Sequence, residues 1–326
     1  MADGEQMHKI LAQEAEVLKI AQLKDTDKLL HLEAAITRLS VQATVYSQSL
    51  SEQKYNKILE WLSASPYYNH HQFLSQSRLS GLGKWLLNHK EYIDWQTSSS
   101  SSLLLLDGIT GSGKSMLCSM IVDSLLSIAN NHPFAAPFGY IYCANPDFER
   151  ALHSSDDVMR SILGQLAVDT TGRRKVKDFL CSEYERQIAR ASVDGLDLPK
   201  LRTQDCVRLI LELAEQDPLT IIVDAIDTIK ENERHALISA LKRIVLEADN
   251  VVKIFITSRS SNRTTIAPAA DKQIQITSHE TQQDMKSFVN HLIDTAVTSK
   301  LLLEGEVPPA LRSMLVQALL HGAGEM

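Results

Sequence analysis

The chain has 326 residues, 44% of them hydrophobic, and a formal net charge of -7. That length and apolar share support one large or two ordinary domains with real cores. The acidic balance argues against a nucleic-acid surface as the main business of the molecule. Cys118, Cys143, Cys181 and Cys206 are scattered without a C-x-x-C pair, so they read as reduced apolar residues of a cytoplasmic chain.

The N-terminus, Met1-Ala2-Asp3-Gly4-Glu5, has neither the basic nor the apolar region of a secretory signal. No run approaches the roughly 20 apolar residues of a membrane helix, and neither end carries a lipidation motif. Between Gly4 and Pro66 there is no glycine or proline, which predicts helix almost throughout. Leu29, Leu32, Ile36, Leu39, Ala43, Tyr46 and Leu50 alternate steps of three and four, an apolar seam that continues upstream through Leu11, Ala15 and Leu18. The seam fits an intermolecular coiled coil, a helical hairpin, or packing on the next domain.

Ser65-Pro66 breaks this region. His70 and His71 have no cysteine or third ligand close by, so they read as an exposed linker rather than a metal site. Gly81-Leu82-Gly83-Lys84-Trp85-Leu86 is a glycine turn feeding a short helix to about Trp95. The run Thr97-Ser98-Ser99-Ser100-Ser101-Ser102 reads as a flexible lead-in to the first strand.

From Leu103 the chain alternates strand and helix. Strands are expected at 103–107, 138–143, 219–224, 251–258 and 273–276, several of them continuous apolar runs of the kind found in a parallel sheet covered on both faces. Helices are expected at 115–129, 155–168, 174–191, 203–216 and 233–248, then at 281–297 and 308–321 as part of a smaller helical element.

Gly108-Ile109-Thr110-Gly111-Ser112-Gly113-Lys114-Ser115 fits the phosphate-binding pattern G-x-x-x-x-G-K-[ST] at every fixed position. It follows the apolar run Leu103 to Asp107 and precedes a helix beginning near Met116, the context this chemistry requires. Glycines let the backbone N–H groups curl around phosphates, and the helix N-terminus adds its positive dipole end. Gly108 through Met116 are expected to bind the nucleotide, with Lys114 reaching the β- and γ-phosphates and the Ser115 hydroxyl sitting on Mg²⁺. Such a loop needs carboxylates from another strand. Asp224 ends the apolar run Leu219-Thr220-Ile221-Ile222-Val223 and is the expected metal ligand, with the small Ala225 leaving room for Asp227 to position water. The bland alternative for Asp227 is a helix cap. Arg259, after Thr257-Ser258 at the tip of the next strand, is a candidate to meet the γ-phosphate, with a plain surface charge as the bland alternative. One strand-helix unit lies between the loop and the Asp224 strand, which predicts the P-loop branch with sheet order 5-1-4-3-2.

With these residues in view, the sequence resembles the NACHT class of signal-transducing NTPases, specifically the fungal NOD-like receptor type. The likeness runs from about Ile58 to Met326, through Ile58-Leu59-Glu60-Trp61-Leu62, Gly81-Leu82-Gly83-Lys84-Trp85-Leu86, the phosphate loop, Arg160-Ser161-Ile162-Leu163-Gly164-Gln165-Leu166, Val223-Asp224-Ala225-Ile226-Asp227 and Phe255-Ile256-Thr257-Ser258-Arg259. The resemblance implies an ATP- or GTP-driven STAND switch that is closed with diphosphate and oligomerises with triphosphate, in self/non-self recognition or cell death. It divides the chain into a helical N-terminal region (1–65), a linker and glycine turn (66–102), a NACHT-like NTPase domain (103–278) and the start of a helical domain (279–326), after which relatives continue. Thr228 departs from the family, which usually has a second acid there, so either turnover is expected to be slow or the water-positioning role is expected to fall on Asp227 alone.

Two other readings stand beside the switch. One is a small-molecule P-loop kinase using Arg173-Arg174-Lys175 as a lid, and the other is a non-enzymatic scaffold or decoy. The absence of an N-K-x-D guanine motif favours ATP over GTP. Self-association through the N-terminal helices is the expected protein partnership, with no nucleic acid and no membrane span.

Overall fold

Four consecutive leucines, Leu103 to Leu106, are buried to 1% exposure or less. Each such side chain contributes about 2 kcal/mol by leaving water, and only a strand at the centre of a covered sheet buries all four in a row. The computed structural model describes residues 12–13, 26–62, 67–132, 135–144, 154–169, 175–262 and 266–324. In it this run is β1 (Ser102–Gly108), followed by β2 (Phe138–Tyr142), β3 (Val168–Asp169), β4 (Lys175–Val176), β5 (Leu219–Asp224), β6 (Val252–Arg259) and β7 (Lys272–Gln275).

Five strands form one parallel sheet, β2-β5-β6-β1-β7. The two extra strands, β3 and β4, pair antiparallel as a separate hairpin. Left out of the count, they leave the sheet reading 5-1-4-3-2 from its β7 edge. The hairpin also explains why the helix expected from 174 begins at Asp178: residues 175–176 are strand.

The described helices are α1 (Thr26–Leu62), α2 (Tyr67–Ser77), α3 (Lys84–Leu87), α4 (Lys90–Thr97), α5 (Lys114–Asn131), α6 (Ser155–Leu166), α7 (Asp178–Asp194), α8 (Thr203–Ala214), α9 (Glu231–Glu247), α10 (Ser278–Thr298) and α11 (Pro309–Gly324). Helices α6 to α8 fill the long crossover between β2 and β5. Val158, Met159, Ile162, Leu163 and Leu166 make the buried face of α6, and Cys206, Val207, Leu209, Ile210 and Leu213 that of α8. None of the described helices is long and apolar enough to cross a membrane.

Contacts divide the chain into two units, Met1–Ile58 and Leu59–Met326. In the first, Ile36, Val41 and Val45 are more than half exposed along α1. The upstream seam residues Leu11, Ala15 and Leu18, the break at Ser65-Pro66, and Arg173-Arg174 lie outside the described residues.

Two expectations for 66–102 are corrected. His71 is not in an exposed linker; it is 3% exposed on α2, its imidazole 2.9 Å from the Tyr142 hydroxyl and 3.1 Å from Asp123. Apolar Leu74, Leu86, Tyr92 and Trp95 pull this segment onto the face of the sheet that carries α5. The serine run is not a free lead-in either. Val252 N–H donates to Ser101 Oγ, Lys253 Nζ to Ser100 O and Trp95 Nε1 to Ser102 O, so hydroxyls and carbonyls of the run stitch it to β6 and α4.

Candidate functional site

Because the sheet is parallel, β1, β5 and β6 release their chains at one edge, the place where open α/β sheets bind ligands. Register sets Gly108 beside Arg259 and Asp107 beside Ser258, while β6 also pairs with β5. The phosphate loop, the Asp224 strand end and Arg259 therefore meet, as the motif spacing predicted.

The loop is built by its glycines. Gly111 and Gly113 take φ of +82° and +84°, the left-handed region where a side chain is strained. At Gly108 a Cβ would come within 2.7 Å of Ser112 Oγ and 3.1 Å of Ile276, so the tight start of the loop admits no side chain. Ile109 and Thr110 form the exposed crest. The 18-residue α5 starts at Lys114 and aims its N-terminus into the loop. Lys114 Nζ donates to Gly108 O at 2.8 Å and Ile109 O at 2.7 Å, spanning the loop. Burial holds its ammonium below the ordinary value, against the attraction of Asp227 and Asp224. Met116, in the first turn of the helix, packs its side chain against the core.

Ser115 Oγ donates to Asp224 Oδ2 at 2.7 Å, and Thr257 Oγ1 to Asp224 Oδ1 at 2.6 Å. Asp224 is 1% exposed, and burial pushes its carboxyl above the usual carboxylate range, countered by the two hydroxyl donors and by Lys114. A hydroxyl and a carboxylate are hard oxygen donors of the kind Mg²⁺ takes, so Ser115 and Asp224 fit the ion the fold implies. Such an ion, once bound, neutralises charge on the phosphate oxygens.

Ala225 has φ +54°, a bend that only small or polar residues tolerate readily. Its N–H donates to Thr257 Oγ1 and its carbonyl accepts from Thr228. Thr228 thus closes the turn in which Asp227 sits. The Asp227 side chain is 2% exposed; Arg259 N–H donates to its Oδ1 at 3.0 Å and Arg259 Nε pairs with Oδ2. Its carboxylate caps no helix: α9 begins at Glu231, with no side-chain cap.

Three features were not foreseen. Thr257, fully buried, clasps Asp224 and was legible only as a polar residue in an apolar strand. Asp107, also fully buried, accepts from Ser260 through Oδ2 while its Oδ1 has no partner among the described residues. Beside the loop lies a cavity of about 290 Å³, walled by Leu82, Trp85, Met116 and Phe288, with Gly111 and Gly113 on its rim. Its walls come from segments some 200 residues apart, which no local pattern reveals.

The family model described as Nephrocystin 3, N-terminal, matches residues 81–259, more than half of the chain. The chain belongs to this family. The match starts at the glycine turn beside the cavity and ends on Arg259, so the matched part of this chain contains the loop, both acids and the arginine. The sequence has no significant match among curated proteins. Solved structures similar to the chain include the Walker-type ATPase PABY2304 of Pyrococcus abyssi (14% identity, 71% of this chain and 62% of that one, TM-score 0.38). C. elegans PCH-2 is similar over 78% of this chain and 54% of its own (16% identity, TM-score 0.34). A chain of Drosophila ORC bound to DNA is similar over 83% and 43% (10% identity, TM-score 0.34). The chain spans less than two thirds of each of these.

Proposed function

We propose that this P-loop NTPase is a nucleotide-dependent switch of the signal-transducing NACHT type, binding ATP with Mg²⁺ and turning it over slowly. The observation that carries the reading is the connected set Ser115–Asp224–Thr257 and Asp227–Arg259 at the mouth of a complete phosphate loop. Lys114 and the loop hold the phosphates, Ser115 and Asp224 hold the metal, and Asp227 orients the attacking water. Arg259, paired with Asp227 and half exposed, is placed to exchange that carboxylate for a γ-phosphate and so to report which nucleotide is bound. The apolar cavity next to Gly111 and Gly113 takes the base. Guanine recognition lacks its N-K-x-D motif in the sequence, which supports ATP.

The output of the switch is association with a second copy through the seam of α1, whose Ile36 is exposed. Light scattering of the purified chain with ATP, with ADP and without nucleotide tests this. Self-association grows with ATP and falls in Leu39→Asp, which sets a charge in the seam. A monomer under all three conditions contradicts the proposal.

A further inference from the structure

We infer that Arg78 is the residue that recognises the nucleoside part of the bound nucleotide, and that Asp123 is its positioning residue; the inference rests on the nucleotide reading above. Arg78 lines the same cavity of about 290 Å³ as Gly111, Ser112 and Gly113 of the phosphate loop. A ligand with its phosphates on the loop therefore extends its nucleoside toward Arg78.

The charges in that cavity narrow the choice. Its walls are mostly apolar, and Arg78 and Asp284 are the charged residues among those that line it. Asp284 is already engaged, accepting from Gly83 N–H at 2.7 Å. Among the described residues, Arg78 is engaged on one side only. Its Nη1 donates to Ser119 Oγ at 2.9 Å and its Nη2 to Asp123 Oδ2 at 2.6 Å. A guanidinium carries five donors, so the Nε–H and one N–H on each terminal nitrogen are left for the acceptors of a nucleoside: ring nitrogens, a ring carbonyl or ribose oxygens.

The fork is also held in place. Ser119 and Asp123 stand on α5, the helix that begins with Lys114, so the base contact and the phosphate contact share one rigid element. Asp123 is itself held by Ser75 Oγ at 2.9 Å and by His71 Nε2 at 3.1 Å, while His71 Nδ1 faces the Tyr142 hydroxyl at 2.9 Å. Burial lowers the His71 pKa, so the ring is neutral at ordinary pH; Nε2–H then donates to Asp123 and Nδ1 accepts from Tyr142. A planar, pre-positioned guanidinium loses little freedom on binding, which a lysine ammonium does not match.

Titration calorimetry of the full chain with two probes, Mg-ATP and magnesium tripolyphosphate, tests the assignment, because the second probe lacks the nucleoside. Losing a hydrogen bond to a charged donor costs about tenfold or more in affinity. Arg78→Ala is expected to weaken ATP binding by that factor and to leave tripolyphosphate binding within about twofold. Arg78→Lys, which keeps the charge and the reach to Asp123, and Asp123→Asn should each show a smaller loss, again for ATP alone. Equal loss of both probes in Arg78→Ala and Arg78→Lys makes the residue structural and overturns the inference, as does unchanged ATP affinity. A wild-type chain that binds neither probe instead overturns the nucleotide reading, and the inference with it.

Discussion

At the residue scale the two acids of the site are held in different ways, and the difference separates their roles. Asp224 takes hydroxyl donors from Ser115 and Thr257, groups that yield readily to a metal ion. Asp227 is locked to Arg259 by a backbone and a side-chain contact. Asp224→Asn should therefore weaken Mg²⁺-dependent nucleotide binding, whereas Asp227→Asn should leave binding nearly intact and slow hydrolysis, given the role in positioning the attacking water proposed for it above. Single-turnover hydrolysis checks this, and an unchanged rate in Asp227→Asn leaves that residue only its structural pairing with Arg259. Lys114, Ser115, Asp224, Asp227 and Arg259 were legible because each sits at a fixed offset from a loop or a strand end. Thr257 and Arg78 were not, because their partners lie 33 and 41 or more residues away.

At the scale of elements, apolar runs made β1, β2, β5 and β6 legible, β7 was expected at 273–276 without such a run, and helix boundaries fell within a few residues of those expected. The two-residue strands β3 and β4 are too short to leave a pattern, and the helical packing of 67–97 was hidden by its polar composition. His71 ties α2 to α5 and β2, and its burial has a pH signature. Its ordinary pKa is near 6.5; burial holds the folded imidazole below that, with the attraction of Asp123 opposing and Arg78 adding to the depression. Tyr142 and Tyr140 complete its surroundings. As pH falls, the unfolded chain binds this proton first, so the stability contributed is full above about pH 6.5 and is lost progressively below it. Thermal unfolding at pH 7.5, 6.5 and 5.5 should show that loss, with a shallower pH slope in His71→Gln. An identical slope in the variant removes His71 from the account.

For the whole molecule, the parallel sheet explains why residues as distant in sequence as Gly108, Asp224 and Arg259 come together: β6 lies between β5 and β1, and all three end at one edge. That much followed from strand order. The cavity did not, because it needs the 78–85 segment, the loop and α10 to converge. The central claim is that this edge binds a nucleoside triphosphate through the phosphate loop. Lys114→Ala removes the cation that spans the loop, a loss on the order of 1.4 kcal/mol or more, equivalent to at least about tenfold in affinity. Titration calorimetry of Mg-ATP into the wild-type chain and Lys114→Ala measures it directly. The account predicts binding to the wild type and at least about tenfold weaker binding to the variant; equal affinity in the two, or no binding to the wild type, contradicts it.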